Sequence, residues 1–334
     1  MSGRSSQNAL WRNGAIDRSL IMLASIIIPT HRRHRSVLNL LSSLENQDFP
    51  KDEFEILIIS NLPDPSLRKQ IEKQIDGRLL YDFFEVGELG VNRARNLGIS
   101  KAKGKFLFFL DDDCFANQTF YLKKGIELLR RWPEASAVGG PYSLGPKSST
   151  IEQVYNSICR QWLENSVRKS GYTVNLVGGN MVFHATVFSS GLRFNESIVF
   201  GGAETELNSR LVQQGYRLKY DPNYSIEHRV HLTLRTFFSK AFWQGFGAQR
   251  REQANLPPDI GLSSIFSACP YPSRLNEFYL AFFNHGFQMG QEWAKHHLVG
   301  RPSLIELAKL FVFFFKKDLE FKRYKKWIKL KADH

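Results

Sequence analysis

The sequence predicts an α/β fold, a mostly parallel sheet with helices on both faces. Two observations predict it. Short apolar runs alternate with amphipathic helical segments through the first 115 residues, and alternation of that kind implies parallel strands joined by helical crossovers. Polar residues then fall at the carboxyl ends of the apolar runs, where sheets of this class bind ligands.

ASIII (24–28) reads as a short buried strand closed by Pro29. Val37, Leu40, Leu41 and Leu44 recur at helical spacing. FEILII (54–59) is a second strand, and Leu67, Ile71 and Ile75 mark a second helix with Ser66 as its N-cap after Pro65. LLYDFF (79–84) gives a third strand and VNRARNLGISK (91–101) a third helix. KFLFFL (105–110) gives a fourth strand, which runs straight into Asp111. Thr30, Asn61 and the run Asp111, Asp112, Asp113 therefore stand at strand ends. No internal repeat competes with this pattern.

The later chain is mixed rather than alternating. FYLKKGIELLRRW (120–132) is an amphipathic helix with Asp113 or Asn117 available as its cap. Residues 135–141 form a strand ending in Gly139, Gly140 and Pro141, and 151–165 are helical. VNLVGGNMVFH (174–184) reads as a strand whose two glycines imply a close backbone approach. A helix over Glu204–Gln214 and the strand YRLKY (216–220) follow. A boundary is expected within 233–260, where NLPPDIGLSS is loop-like. The expected organisation is a basic arm over 1–23, a main domain over 24–235 with halves at 24–115 and 116–235, and an aromatic, basic helical extension over 236–334.

Composition narrows the class. With 43% hydrophobic residues in 334, the chain can bury one large core or two modest ones, and 23% charge is too little for disorder. Cys114, Cys159 and Cys269 are far apart, which excludes a zinc knuckle or disulfide framework and suits a reducing cytoplasm. No run of about 18 apolar residues predicts a transmembrane helix. The net charge of +13 concentrates at the ends: residues 301–334 hold ten Lys or Arg against four Asp or Glu, and residues 1–35 hold six Arg against one Asp. Such ends invite a polyanion, either nucleic acid or an acidic membrane surface. With no helix-turn-helix, RNA-recognition or zinc-finger pattern, no nucleic acid is expected.

Three consecutive carboxylates after a buried strand repel one another unless something neutralises them. A divalent cation does so, and hard oxygen ligands suit Mg²⁺ or Mn²⁺, which share their shell with substrate phosphates. The competing reading is a solvated acidic turn or helix cap.

Four segments occur in order: SIIIPTHRR (25–33), GVNRARNLGI (90–99), FLFFLDDD (106–113) and FGGAETELNSRLVQQGYRLKYDPNYSIEH (200–228). Together, over roughly residues 24–230, they resemble the family-two inverting glycosyltransferases of the GT-A fold. The resemblance implies that Pro29 and Thr30 line a nucleobase pocket and that Arg33 lies near the donor. It places Arg95, of the Arg95–Asn96 pair, by base or phosphates, puts Asp111 and Asp112 on the nucleotide-sugar with Asp112 at the ribose, and has Asp113 hold the metal. Glu204 aligns with the catalytic base, although Ala203 replaces a common acidic neighbour, and Glu206 is read as a structural contact. His228 aligns with a metal-reaching position, with His231 as competitor. Ser60 stands where the family has a base-reading aspartate, a role left to Asn61 or Asp64. GAQRRE (247–252) stands in place of the QxxRW motif of processive relatives, which implies one sugar per acceptor event.

The implied activity is non-processive transfer from a nucleotide-diphosphate sugar to an acceptor hydroxyl, in cell-surface or lipid-linked glycan assembly, with the protein expected in the cytoplasm, either free or peripheral on the inner face of the cell membrane. A sugar nucleotidyltransferase is the alternative, but PTHRR lacks the glycine-rich loop it needs. A non-catalytic polyanion binder is the alternative of another class. Two segments keep two readings each. SKAFWQGFGAQRR (239–251) is either a donor-covering loop presenting Arg250 and Arg251 or a packed aromatic helix. The tail LFVFFFKKDLEFKRYKKWIKLK (310–331), with Phe321, Tyr324, Trp327 and Ile328 at helical spacing, is either a membrane-interface helix or one packed on the domain.

Overall fold

The computed structural model describes residues 22–75, 77–198, 202–253, 255 and 274–296. The polar arm before residue 22, the loop-like stretch after Asn255, Cys269 and the basic tail 310–331 lie outside the described residues.

The first part alternates as expected: β1 (Ala24–Thr30), α1 (His34–Glu45), β2 (Phe54–Asn61), α2 (Pro65–Ile75), β3 (Tyr81–Val86), α3 (Val91–Lys101), β4 (Phe106–Phe109). There follow β5 (Cys114–Phe115), α4 (Tyr121–Arg131), β6 (Ala137–Gly139), β7 (Tyr142–Ser143), α5 (Thr150–Asn165), β8 (Tyr172–Thr173) and β9 (Met181–His184). The described chain continues with α6 (Ala203–Gln213), β10 (Leu218–Tyr220), β11 (Ile226–His228), α7 (Leu234–Gln253) and α8 (Arg274–His296).

The main sheet has the order β3-β2-β1-β4-β9-β6-β10-β8. The first four strands are parallel, and β9 runs antiparallel to both β4 and β6. Every residue of β1 and β2 is buried, because helices cover both faces. Side chains alternate between those faces. Ile26, Ile28, Ile56 and Ile58 pack with α1, α2 and α4, while Ile27, Leu57 and Ile59 pack with α3 and with Leu207 and Leu211 of α6. Strand order reverses between β1 and β4, which opens a crevice at their carboxyl ends. A small second sheet, β5-β11-β7, stands beside it.

Several local expectations are corrected. The first strand continues through Pro29 to Thr30. Pairing with β4 stops at Ile27, so the proline breaks no rung there. Asp64, not Ser66, caps α2: its Oδ1 accepts the Leu67 N–H at 3.0 Å. Neither Asp113 nor Asn117 caps α4, whose N-cap is Phe120 without a side-chain bond. The strand expected over 174–184 is confined to Met181–His184. Finally, residues 239–251 are interior to α7. Gly245 admits the Phe287 carbonyl so closely that a Cβ there would stand 1.9 Å from it, so this segment is a packed helix rather than a loop. No helix among the described residues is long and apolar enough to cross a membrane.

Candidate active site

A cleft of about 580 Å³ lies over the carboxyl ends of β1 and β4. One wall is the sheet, with Pro29, Thr30, Arg33, Arg95, Asp111, Asp112, Asp113 and His228. The other is helical, with Tyr155, Ile158, Trp162, Lys240, Gln244 and Arg251 from α5 and α7. Glu204, in the first turn of α6, lines the cleft as well. Pro29, Thr30, Arg33, Arg95, Asp111, Asp112, Asp113, Glu204 and His228 thus line one space, whereas Asp64, His231 and Arg250 do not line it.

The three aspartates have separate surroundings. Asp111 accepts a 2.9 Å bond from Arg95 Nη2 and a 3.1 Å bond from the Tyr142 hydroxyl. Asp112 accepts from Thr30 Oγ1 at 2.7 Å and from Arg33 Nη1 at 3.0 Å. Asp113 accepts from the same Arg33 nitrogen at 2.6 Å, and its other oxygen lies 3.1 Å from His228 Nε2. Burial, and then the Asp113 charge, push Asp112 up to about 7. Burial acts in the same direction on Asp113, but His228 and Arg33 outweigh it and hold that carboxyl well below the usual range. Burial also disfavours the Arg33 charge, and the two carboxylates overcome it and raise its pKa.

Tyr142 went unread in the sequence, and it organises this wall. Its ring stacks on His228, centroids 4.3 Å apart. Its hydroxyl also accepts the Gly179 N–H at 3.0 Å. Strand pairing of β7 with β11 brings the two rings together. The glycine pair after Val177 has a matching reason. A Cβ on Gly178 would stand 2.6 Å from Arg95 Nη2, and one on Gly179 would stand 2.6 Å from Asp111 Oδ2. The close approach read from the sequence is thus to the side chains of the site.

Arg95 and Asn96 diverge, as adjacent helical residues must. Arg95 turns to Asp111 and lies over the Phe194 ring at 5.3 Å, while Asn96 holds the Phe194 backbone through two 2.9 Å bonds. Of the residues near the missing base-reading aspartate, Asp64 is occupied by its cap and by His34 at 2.7 Å. Asn61 lines the cleft, but its Oδ1 accepts the Gly90 N–H at 3.2 Å. Ser60 donates to the Leu62 carbonyl. His31, unnoticed in the sequence, lines the cleft beside them with Nδ1 2.8 Å from the Asn61 carbonyl oxygen. Glu206 is buried and paired with Arg210 at 2.6 Å, a structural contact. His231 is exposed and lies 3.9 Å from Glu152, so of the two histidines only His228 meets Asp113.

Among the described residues no group of three or more His, Cys, Asp or Glu side chains converges on a common point. The donor set is a pair: a carboxylate and an imidazole at the open cleft. That fits a hard cation that takes few protein ligands and completes its shell with phosphate oxygens and water. The Arg33 guanidinium already lies against the same carboxylates, which marks the spot as one where positive charge is stabilised.

Sheet order, the antiparallel β9 and the cleft over the strand ends define a GT-A fold. The mannosyltransferase PcManGT from Pyrobaculum calidifontis, solved with GDP-Man and Mn²⁺, superposes with a TM-score of 0.59 over 92% of this chain and 84% of that one, at 16% identity. The chain belongs to glycosyl transferase family 2, whose family model matches residues 25–194. It is 25% identical over 207 residues to the glycosyltransferase AglE of Haloferax volcanii, covering 60% of this chain and 65% of AglE, just under two thirds of that relative's length. It is also 25% identical over 237 residues to a Methanococcus voltae enzyme, a dolichyl N-acetyl-alpha-D-glucosaminyl phosphate 3-beta-D-2,3-diacetamido-2,3-dideoxy-beta-D-glucuronosyltransferase, covering 66% of this chain and 71% of that one.

Proposed function

We propose that the protein is a non-processive inverting glycosyltransferase that moves a sugar from a nucleotide-diphosphate sugar to an acceptor hydroxyl, with Mg²⁺ or Mn²⁺ held by Asp113 and His228. The observation that carries this is the Asp113–His228 pair, 3.1 Å apart at the reversal of strand order. Family membership and the Mn²⁺ of the Pyrobaculum structure support it. The nucleotidyltransferase and polyanion-binder alternatives have no comparable support.

In this reading Pro29 and Thr30 border the nucleoside, and Asp112, steadied by Thr30, meets the ribose. Arg95 fixes Asp111 beside it. A bound cation supplies Lewis-acid stabilisation of the leaving diphosphate. Arg33 adds a fixed positive charge on the same side. Glu204 takes the proton of the acceptor hydroxyl, whose oxygen attacks the anomeric carbon from the face opposite the diphosphate. The sugar–phosphate bond breaks and its electrons go to the phosphate oxygen, so one displacement inverts the centre.

Glu204→Gln keeps the shape and loses the base. We expect donor affinity to be retained and turnover to drop by about 10²–10⁴-fold, the worth of general-base help. Calorimetry with the nucleotide-sugar and release of nucleoside diphosphate measure the two separately. Full transfer by this variant removes Glu204 from the role.

We also propose that the basic segment 310–331 rests on an anionic membrane surface at the cytoplasmic face. Its aromatic residues at helical spacing with lysines between support this. Sedimentation with anionic vesicles, with and without 310–334, tests it, and equal sedimentation of both forms counts against it.

A further inference from the structure

The sheet wall of the cleft is backed by one buried amide that the reaction itself does not use. Asn180, immediately ahead of β9, is 0% exposed and does not line the cleft. Its Nδ2 donates to the Tyr224 carbonyl at 2.8 Å and to the Pro141 carbonyl at 3.2 Å. Its Oδ1 accepts the Tyr121 hydroxyl at 2.8 Å. The two carbonyls fix which way round the amide sits, because a flipped amide would face both of them with its oxygen. Backbone can converge here because residue 140 is glycine: a Cβ on Gly140 would stand 1.9 Å from the Tyr224 carbonyl oxygen.

Both carbonyls stand where strands of the second sheet begin. Pro141 immediately precedes β7, and Tyr224 lies two residues before β11. The strands run parallel with Ile226 opposite Tyr142, so one amide holds the entry of both. At the far end of β11 is His228, whose ring lies on Tyr142. The same stretch of chain reaches Tyr142 a second time, through the Gly179 N–H on its hydroxyl at 3.0 Å. Gly179 and Asn180 therefore hold Tyr142 at both ends, at its backbone entry and at the tip of its ring. Tyr121 supports the arrangement from α4 by stacking on the Tyr224 ring, centroids 4.8 Å apart. Removing the amide leaves two buried carbonyls and a hydroxyl without their partner, which costs far more than the bonds themselves contribute.

We propose that Asn180 is a positioning residue for the transfer reaction: its side-chain amide sets β7 against β11 and so places the His228 imidazole, on the Tyr142 ring, against Asp113. Asn180 acts only through those two residues and touches no ligand. The consequence for metal and nucleotide rests on the transferase reading above, whereas the placement of His228 can be read without it.

The test uses the full chain and two readouts. The first is the ring-proton resonance of His228 in histidine-labelled protein, assigned with His228→Gln, which the stacked Tyr142 ring should shift upfield. The second is calorimetry of Mn²⁺ with UDP and with GDP. Asn180→Asp keeps the shape and the Tyr121 bond but turns oxygens on both carbonyls, and Asn180→Ala removes all three bonds. Both should lose the upfield shift and at least about tenfold in Mn²⁺–nucleotide affinity, the usual cost of an outer-shell support. Tyr121→Phe is the milder variant and should show the same two changes to a smaller degree, so it carries the test where the Asn180 variants do not fold. Ser25→Ala is the control. It opens an equally buried network at the opposite ends of the strands, where Ser25 Oγ meets Glu55 at 2.7 Å and the Gly104 N–H at 2.8 Å. It should lower stability in urea while leaving the His228 resonance in place and the affinity within about twofold. A His228 resonance that is the same in wild type and the variants overturns the proposal. So does an equal loss of affinity in Ser25→Ala, which assigns the effect to stability, and so does a shifted resonance with full affinity. Wild type that binds Mn²⁺ with neither nucleotide sinks the transferase reading, and the His228 resonance then decides the role of Asn180 by itself.

Discussion

On the sheet wall of the cleft, Asp111, Asp112 and Asp113 follow one another in sequence, yet each is held by its own set of partners. Arg95 and Tyr142 hold the first, Thr30 and Arg33 the second, Arg33 and His228 the third. Those partners come from separate strands and helices, so the carboxylates are fixed before any ligand arrives. On the helical wall, Tyr155 is held by Gln244 Nε2 at 3.2 Å, by the Lys240 ammonium over its ring and by the rings of Phe237 and Phe283. A preorganised charged wall suits a group whose charge must be met without delay. A wall of packed aromatic rings with one lysine suits a partner recognised by shape and apolar area. Changes on the sheet wall should therefore act on donor binding and chemistry, and changes at the helical wall on its assembly and on the acceptor.

The largest effect is expected from Asp113→Ala. It removes one of two proposed metal ligands and leaves Arg33 and His228 facing a gap. Mn²⁺-dependent donor affinity should fall by at least about a hundredfold. Calorimetry with and without Mn²⁺ reads this directly, and unchanged binding separates the cation from this wall.

A smaller loss is expected from Gly179→Ala, which tests whether the sheet wall is as closely fitted as its distances imply. The new methyl would stand 2.6 Å from Asp111 Oδ2 and 2.7 Å from the Tyr142 hydroxyl. Both must shift, and Tyr142 carries His228 with it. Turnover should drop about tenfold, as loss of an outer-shell support typically does. A variant with full turnover and unaltered Mn²⁺ affinity shows the wall to be looser than its partners suggest.

The contrast between the walls also explains what was legible beforehand. The first four strands and their helices could be read because each apolar run is long and buried on both faces, and the carboxylates follow from where the fourth run ends. Tyr142 could not be read. Its strand is two residues long and has no periodicity, and its partner His228 is 86 positions further on in the chain. Only the glycines at 139–140 and 178–179 hinted that backbone comes close there. The cap of α2 was misplaced although the signal existed: Pro65 opens the helix, and proline at the first helical position puts the cap one residue earlier, at Asp64. The helical wall stayed ambiguous because glycines and arginines in 239–251 suit a loop as well as a helix, and what decides is the Phe287 carbonyl from a distant helix.

The smallest effect is expected where the helical wall is joined to the sheet domain. Glu152 accepts the Ser149 N–H at 2.8 Å and the Leu232 N–H at 3.0 Å, so one carboxylate closes the start of α5 and holds the residue two before α7. Burial opposes its charge, but those two N–H donors outweigh it and lower its pKa below the ordinary glutamate value. A depressed carboxylate contributes stability that is complete above its unfolded pKa of about 4.3 and is lost as pH falls through the lower folded value. Glu152→Gln keeps one acceptor oxygen where two are used, so urea unfolding near neutral pH should show a loss of about 1 kcal/mol. In acid, once wild-type Glu152 is protonated as well, the gap between the two proteins should close. A gap that persists unchanged into acid locates the effect in packing rather than in the charge, and the helical wall then leans on its apolar contacts alone.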